Sequence, residues 1–120
     1  MKRRDTGILG EKLARDFLKK CGYRIQETNY RCPDGEIDIV AEHRGFLSFI
    51  EVRTKKSHKF GTPEESITPA KKERLRTVAY HYRQTHDNLP SAWRIDVLAI
   101  ELKQNGEVSR IELIENAVGE

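Results

Sequence analysis

The sequence has only two cysteines, one methionine and one tryptophan, and no apolar run approaching the ~20 residues that a membrane span needs. Its basic start, Met1-Lys2-Arg3-Arg4, leads into Asp5-Thr6-Gly7 rather than an apolar stretch, so no secretion signal is expected and a cytoplasmic location is. Cys21 and Cys32 stand in no metal or redox spacing and are read as plain thiols. His43, His58, His81 and His86 lack a ligand spacing such as two histidines one helical turn apart, and are read as surface residues. There is no glycine-rich phosphate loop, no G-x-S-x-G element and no cysteine paired with a base. These absences remove support for zinc hydrolases, P-loop enzymes and nucleophilic hydrolases.

What is present is a patterned, charge-rich chain of 120 residues, the length of one compact domain (1–120). Charged residues make up 34% and apolar residues 37%, and the apolar ones recur in periodic runs, which argues for folding rather than disorder. A net charge of +3 from 22 basic and 19 acidic residues permits a nucleic-acid partner, provided that the basic surface is local.

Leu9, Leu13, Ala14 and Phe17 recur at helical spacing after a cap at Asp5 or Thr6, and that helix should end near Gly22. Tyr23 to Arg31 and Glu36 to Glu42 read as strands joined by the turn Cys32-Pro33-Asp34-Gly35. A third strand runs from Phe46 to Lys55, and the polar stretch from Lys56 to Ser66 reads as a loop. Thr68-Pro69 caps a second helix with Leu75, Val78, Ala79 and Tyr82 as its apolar stripe, ending near His86. Trp93 to Leu102 has the unbroken apolar centre of a strand buried on both faces, expected to lie parallel to strand three. A two-residue turn at Asn105-Gly106 would set Ile100 opposite Ile111 and Leu98 opposite Leu113. The expected architecture is α/β: a mixed five-stranded sheet with two helices, in the order αβββαββ.

Side chains two apart on a strand share a face, which groups Glu36 with Asp38 and Glu51 with Arg53. A symmetric turn at Arg44-Gly45 places Asp38 directly across from Glu51, with Cβ atoms roughly 4.5–5.5 Å apart. Two carboxylates so close repel unless a cation, a proton or an arginine compensates, and Mg2+ or Mn2+ suits such hard oxygen donors. Acids at alternate strand positions also form ordinary solvated faces, and Arg53 could neutralise either one. Against that reading, Asp38 lies between Ile37 and Ile39, and Glu51 between Ile50 and Val52, inside strong core strands where a charge needs a partner. The second helix carries Lys71, Lys72, Arg74, Arg76 and Arg83 around its apolar stripe, a basic surface suited to phosphates. Arg31, Lys56, Lys59 and the terminal Lys2-Arg3-Arg4 are further candidates.

Gly35-Glu36-Ile37-Asp38-Ile39-Val40-Ala41 and Phe49-Ile50-Glu51-Val52-Arg53 resemble the motifs of the YraN-type bacterial proteins. So do Gly10-Glu11-Lys12-Leu13-Ala14, Asn29-Tyr30-Arg31-Cys32, Gly61-Thr62-Pro63-Glu64-Glu65-Ser66 and Arg94-Ile95-Asp96-Val97, so that the resemblance covers nearly the whole chain. That family is similar to archaeal Holliday junction resolvases and other nucleases of the PD-(D/E)-x-K type. The resemblance implies a restriction-endonuclease-like core and a metal-dependent endonuclease acting on DNA, including branched or distorted DNA. Asp38 and Glu51 would be metal ligands, the Val52 carbonyl a third, and Glu11 would approach from the first helix. Pro33-Asp34 spells the nominal dipeptide but is read as a turn. Arg53 stands where such nucleases carry lysine; it can stabilise phosphate charge but cannot act as a general base, which leaves water on the metal as nucleophile. Lys55, two residues further on the same face, is the alternative ammonium. A catalytically inactive nucleic-acid-binding module on the same scaffold is the second reading, and a homodimer is compatible with either.

Overall fold

The computed structural model describes residues 3–56, 59 and 61–119, which leaves Lys2 and His58 outside the described residues. Helix α1 (Arg3–Lys20) starts ahead of the expected cap at Asp5 or Thr6 and buries Gly10, Ala14 and Leu18. It closes where Tyr23 N–H donates to the Leu18 carbonyl (2.9 Å) and Gly22 N–H to Lys19 (3.1 Å). Gly22 has φ +87°, the left-handed conformation that this helix ending requires.

Strands β1 (Arg24–Cys32), β2 (Gly35–His43) and β3 (Phe46–Lys55) follow in series, then α2 (Pro69–Thr85), β4 (Ala92–Leu102) and β5 (Val108–Ile114). The strands lie side by side in the order β1-β2-β3-β4-β5. Among the described strands only β3 and β4 pair in parallel, as the crossover through α2 demands. This is the expected αβββαββ arrangement around a mixed sheet. The stretch read as a plain loop before α2 contains a 3-10 turn, Glu64–Ser66.

Because successive strand residues face opposite ways, the core divides in two. Tyr30, Val40, Leu47, Phe49 and Ile95 pack with Leu75, Val78 and Tyr82 of α2. Ile39, Ala41, Ile50, Leu98 and Ile100 pack with Ala14 and Leu18 of α1. Each fully buried Leu, Ile or Phe contributes about 1.5–3 kcal/mol, so both helices are fixed by their apolar stripes.

The β4–β5 register sets Ile100 opposite Ile111 and Leu98 opposite Leu113, as expected, but through a different turn. Gly106 N–H donates to the Lys103 carbonyl (2.9 Å), making Gln104-Asn105 the central pair, with Gly106 following at φ +90°. A register shift between Glu101 and Leu102 absorbs the extra residue. The three described histidines are half-buried rather than free at the surface: His43 stacks on Tyr23 (4.1 Å), His86 stacks on Tyr82 (3.7 Å), and His81 Nδ1 lies 2.6 Å from the Tyr30 hydroxyl.

Gly10 sets the distance between α1 and the sheet. A Cβ there would lie 2.0 Å from Thr54 Oγ1 and 3.0 Å from Thr54 Cβ. Gly10→Ala should therefore destabilise the protein by about 1–3 kcal/mol in denaturant unfolding, although alanine favours the helix by about 1 kcal/mol. Adding Thr54→Ala should recover part of the loss; an unchanged or increased stability of Gly10→Ala alone would contradict the close contact.

Candidate functional site

The β2–β3 ladder carries the register expected from the Arg44-Gly45 turn, with Val40 opposite Phe49 and Ile39 opposite Ile50. Ile39–Ile50 is its last pair, one step before Asp38 and Glu51. The ladder shows no further pair beyond it among the described residues, and Asp38 Oδ2 accepts the Val52 N–H (2.8 Å). A carboxylate thus takes over from the backbone where the ladder ends, as a buried N–H requires a partner.

Asp38 and Glu51 meet at this point. Glu51 is only 5% exposed. Burial, the neighbouring Glu51 charge and a hydrogen bond with the Glu51 carboxyl raise the Asp38 pKa to about 7, against the lowering effect of the Val52 N–H. On the α2 side, Glu51 Oε2 lies 3.2 Å from Arg53 Nη2 and 3.6 Å from Lys71 Nζ. Lys71 is positioned by the helix start, where Thr68 Oγ1 accepts its N–H (3.1 Å) and Pro69 opens the first turn.

Asp38 borders a cleft of about 540 Å³, walled by Arg3, Thr6, Gly7 and Glu11 of α1, by residues 52–55 of β3 and by Ser66. Glu11, Asp38, Val52, Arg53 and Lys55 therefore share one cavity. Of its charged side chains, Arg3, Arg53 and Lys55 are cationic, and Glu11 and Asp38 are acidic. Ser66 is held in place from the sheet edge, because Arg110 of β5 bonds Glu64 (2.7 and 3.1 Å), Glu101 (2.7 Å) and Glu112 (2.8 Å). Those Arg110 bonds bring the Glu64 carboxyl down to about 2.

The other basic candidates are dispersed. At about 100° per residue, Lys71 and Arg74 fall on one flank of the α2 stripe and Lys72, Arg76 and Arg83 on the other. Arg76 is engaged by Glu73 (3.0 Å) and the Gly119 carbonyl (2.9 Å), and Arg83 lies 4.5 Å over the Trp93 ring. Arg31 pairs with Glu36 (3.0 Å). Lys72 and Arg74 form no ion pair among the described residues. The helix thus presents two basic flanks rather than one basic face.

Sequence reading missed the α1 wall at Thr6 and Gly7, and the pairing of Lys71 with Glu51. It also passed over Asp96, which is wholly buried and bonded to Arg94, Ser48 and Asn116, although its place between Ile95 and Val97 is the same signal that singled out Asp38 and Glu51.

The raised Asp38 pKa has a testable sign. In chelator-treated protein the folded state binds the Asp38 proton more tightly than the unfolded state, so stability is greatest below the unfolded pKa near 4 and is lost as pH rises through about 7. Glu64, with its folded pKa lowered, acts oppositely, and its contribution fades as pH falls toward 2. Metal-free stability should therefore peak near pH 4–5 and fall by on the order of 2 kcal/mol toward pH 8. Urea unfolding at several pH values checks this, and Asp38→Asn should flatten the alkaline limb.

A model of the uncharacterised protein family UPF0102 matches residues 10–100. A UPF0102 protein of Dehalococcoides mccartyi is 48% identical over 118 residues, covering 98% of this chain and 96% of its own. One of Moorella thermoacetica is 45% identical over 117 residues, covering 98% of each chain. One of Renibacterium salmoninarum is 47% identical over 108 residues, covering 90% of this chain and 91% of its own. With the matched span including Glu11, Asp38, Glu51 and Arg53, this chain belongs to the uncharacterised protein family UPF0102.

Proposed function

We propose that the protein is a metal-dependent phosphodiesterase that cleaves DNA, using Asp38 and Glu51 as its acidic pair. The observation that carries this reading is the meeting of two largely buried carboxylates where β2 and β3 part, beside a cleft with more cations than acids. Structural carboxylates are normally kept apart or individually paired, because close burial of two raises the energy of the charged state.

The donors suit magnesium or manganese. They are hard oxygens, two carboxylates and the nearby Val52 carbonyl, and among the described residues no group of three or more His, Cys, Asp or Glu offers a fuller cage. Mg2+ commonly takes one or two carboxylates and fills its remaining positions with water and substrate phosphate. Such an ion supplies Lewis-acid charge to the phosphate and acidity to water. Asp38 and Glu51 hold it, while Arg53, at the cleft wall and 3.2 Å from Glu51, offsets charge developing on the phosphate oxygens. Hydrolysis forms a bond from water oxygen to phosphorus, breaks one bridging P–O bond and returns a proton to the departing oxygen. Arg53 is permanently protonated and does not carry that proton.

The direct test is incubation of linear, nicked and branched DNA with Mg2+ or Mn2+, with product formation read on gels beside an Asp38→Ala control. Cleavage that needs both metal and Asp38 is the expected result. Equal cleavage by the control would locate the activity elsewhere.

A second reading, a binding module without turnover, is favoured by one observation: Glu51 already has two cationic neighbours, Arg53 and Lys71. Arg53→Lys separates the two. In an active site, lysine should keep or raise cleavage, while Arg53→Ala should lose about 10–100-fold in rate with little change in DNA affinity. No cleavage by wild type or Arg53→Lys on any DNA form, with affinity intact, would establish the binding module.

A further inference from the structure

Two glycines in α1 behave oppositely. Gly10 is required by contact with Thr54, but among the described residues a Cβ added at Gly7 meets nothing within 4 Å. Gly7 nonetheless lies inside a helix and lines the cleft that contains Asp38. Glycine is the poorest helix former after proline, and neither a positive φ nor a packing neighbour among the described residues accounts for it here. A local rule broken without structural compensation, on the wall of a cleft, marks a place where something outside the chain approaches closely.

The surroundings specify the chemistry of that ligand. Arg3 lies one helical turn before Gly7 and Thr6 adjoins it, while Lys55 and Arg53 line the same cavity from β3. Cations on both walls, outnumbering the acids Glu11 and Asp38 that line the same cavity, suit the repeating anionic phosphates of a nucleic-acid strand better than a neutral ligand. We propose that a strand of the nucleic acid runs along α1, its sugar-phosphate backbone passing over Gly7 between Arg3 and Lys55. This subsite rests on the nuclease reading for its polymer and extends it by placing the binding path on α1 rather than on α2. It assigns Gly7 the role of leaving room for the backbone, and Arg3 and Lys55 the phosphate contacts.

Two variants test it by binding, using fluorescein-labelled branched and linear DNA with Ca2+ in place of Mg2+, and a third by stability. Gly7→Glu places a carboxylate on the cleft wall, where its Cβ meets none of the described residues, and should weaken DNA binding at least about tenfold at low salt. Gly7→Ala should raise the melting temperature by about 3–6 °C, which shows that the glycine is not there for stability. Ser91→Glu makes the same charge change at the exposed start of β4, beyond the Phe46–Ala92 end of the ladder, and should alter binding less than threefold. Unchanged binding by Gly7→Glu while the wild type binds overturns the subsite and leaves the nuclease reading standing. Equal weakening by Ser91→Glu likewise overturns it, since the effect would then be one of net charge. A wild type that binds no DNA overturns both.

Discussion

Asp38→Asn should reduce metal-dependent DNA cleavage by at least about a thousandfold, while making the metal-free protein more stable than the wild type at pH 8. The two effects have one cause. Asparagine keeps an oxygen that can accept the Val52 N–H, now 2.8 Å from Asp38 Oδ2, so the β2–β3 end retains its geometry. It removes a charge that burial and Glu51 oppose, which relieves about 1–3 kcal/mol in chelator-treated protein above the Asp38 pKa of about 7. It also removes one of two carboxylates available to a divalent ion, and with it the transition-state stabilisation that the ion supplies. Thermal melts with and without Mn2+ complete the test: an ion bound only by the folded wild type raises its melting point, and Asp38→Asn should show far less shift. Cleavage near the wild-type rate, or an equal melting shift with Mn2+, would refute the role given to Asp38.

Asp96→Ala should be the most destabilising single change in the sheet, costing about 3–5 kcal/mol in denaturant unfolding. Asp96 is fully buried and accepts Arg94 Nε (2.8 and 3.1 Å), the Ser48 hydroxyl and the Asn116 N–H (2.7 Å). Arg94 in turn donates to the Tyr23 hydroxyl (2.8 Å) and lies 5.0 Å over the Phe46 ring. Removal of Asp96 takes the shortest ion pair from a guanidinium that is only 13% exposed, leaving it Tyr23 and the more distant Glu115 (3.5 Å), and removes the acceptor of a hydroxyl and a backbone N–H. Against a typical total stability of about 5–15 kcal/mol the loss is large. Asp96→Asn, which keeps an acceptor, should cost less. Asp96 pairs with Ile50, next to Glu51 on β3, but successive strand residues face opposite ways and its bonds go to Arg94, Ser48 and Asn116 rather than to the acidic pair, so Asp96→Asn should leave metal-induced stabilisation intact. A loss below about 1 kcal/mol for Asp96→Ala would show that water readily replaces the carboxylate.

Much of the framework could be read locally. Strand alternation in Ile37 to Ala41 and Phe46 to Val52, the helical stripes ending in Gly22 and beginning at Thr68-Pro69, and the short turn at Arg44-Gly45 each have a cause within a few residues. They yielded the element order and the β2–β3 register. The β4–β5 turn was harder, since a two-residue turn and a longer one with a compensating bulge give the same pairing of Ile100 with Ile111. The chain also signalled its unusual carboxylates, because an acid between two β-branched residues is costly wherever the strand lies.

Hydrophobic period, turn chemistry and antiparallel register are short-range properties of the chain, and they were enough to give the αβββαββ order, the core stripes and the cross-strand meeting of Asp38 and Glu51. Which charges gather round that pair depends on long-range packing. Lys71 reaches Glu51 because α2 crosses the sheet, Arg3 and Gly7 face the cleft because α1 packs at Gly10 against Thr54, and Ser66 is held through Glu64 and Arg110. Those contacts join residues 20 to 50 positions apart, where no sequence period reaches; the rotation of each helix on the sheet, set by how its buried stripe packs, fixes them.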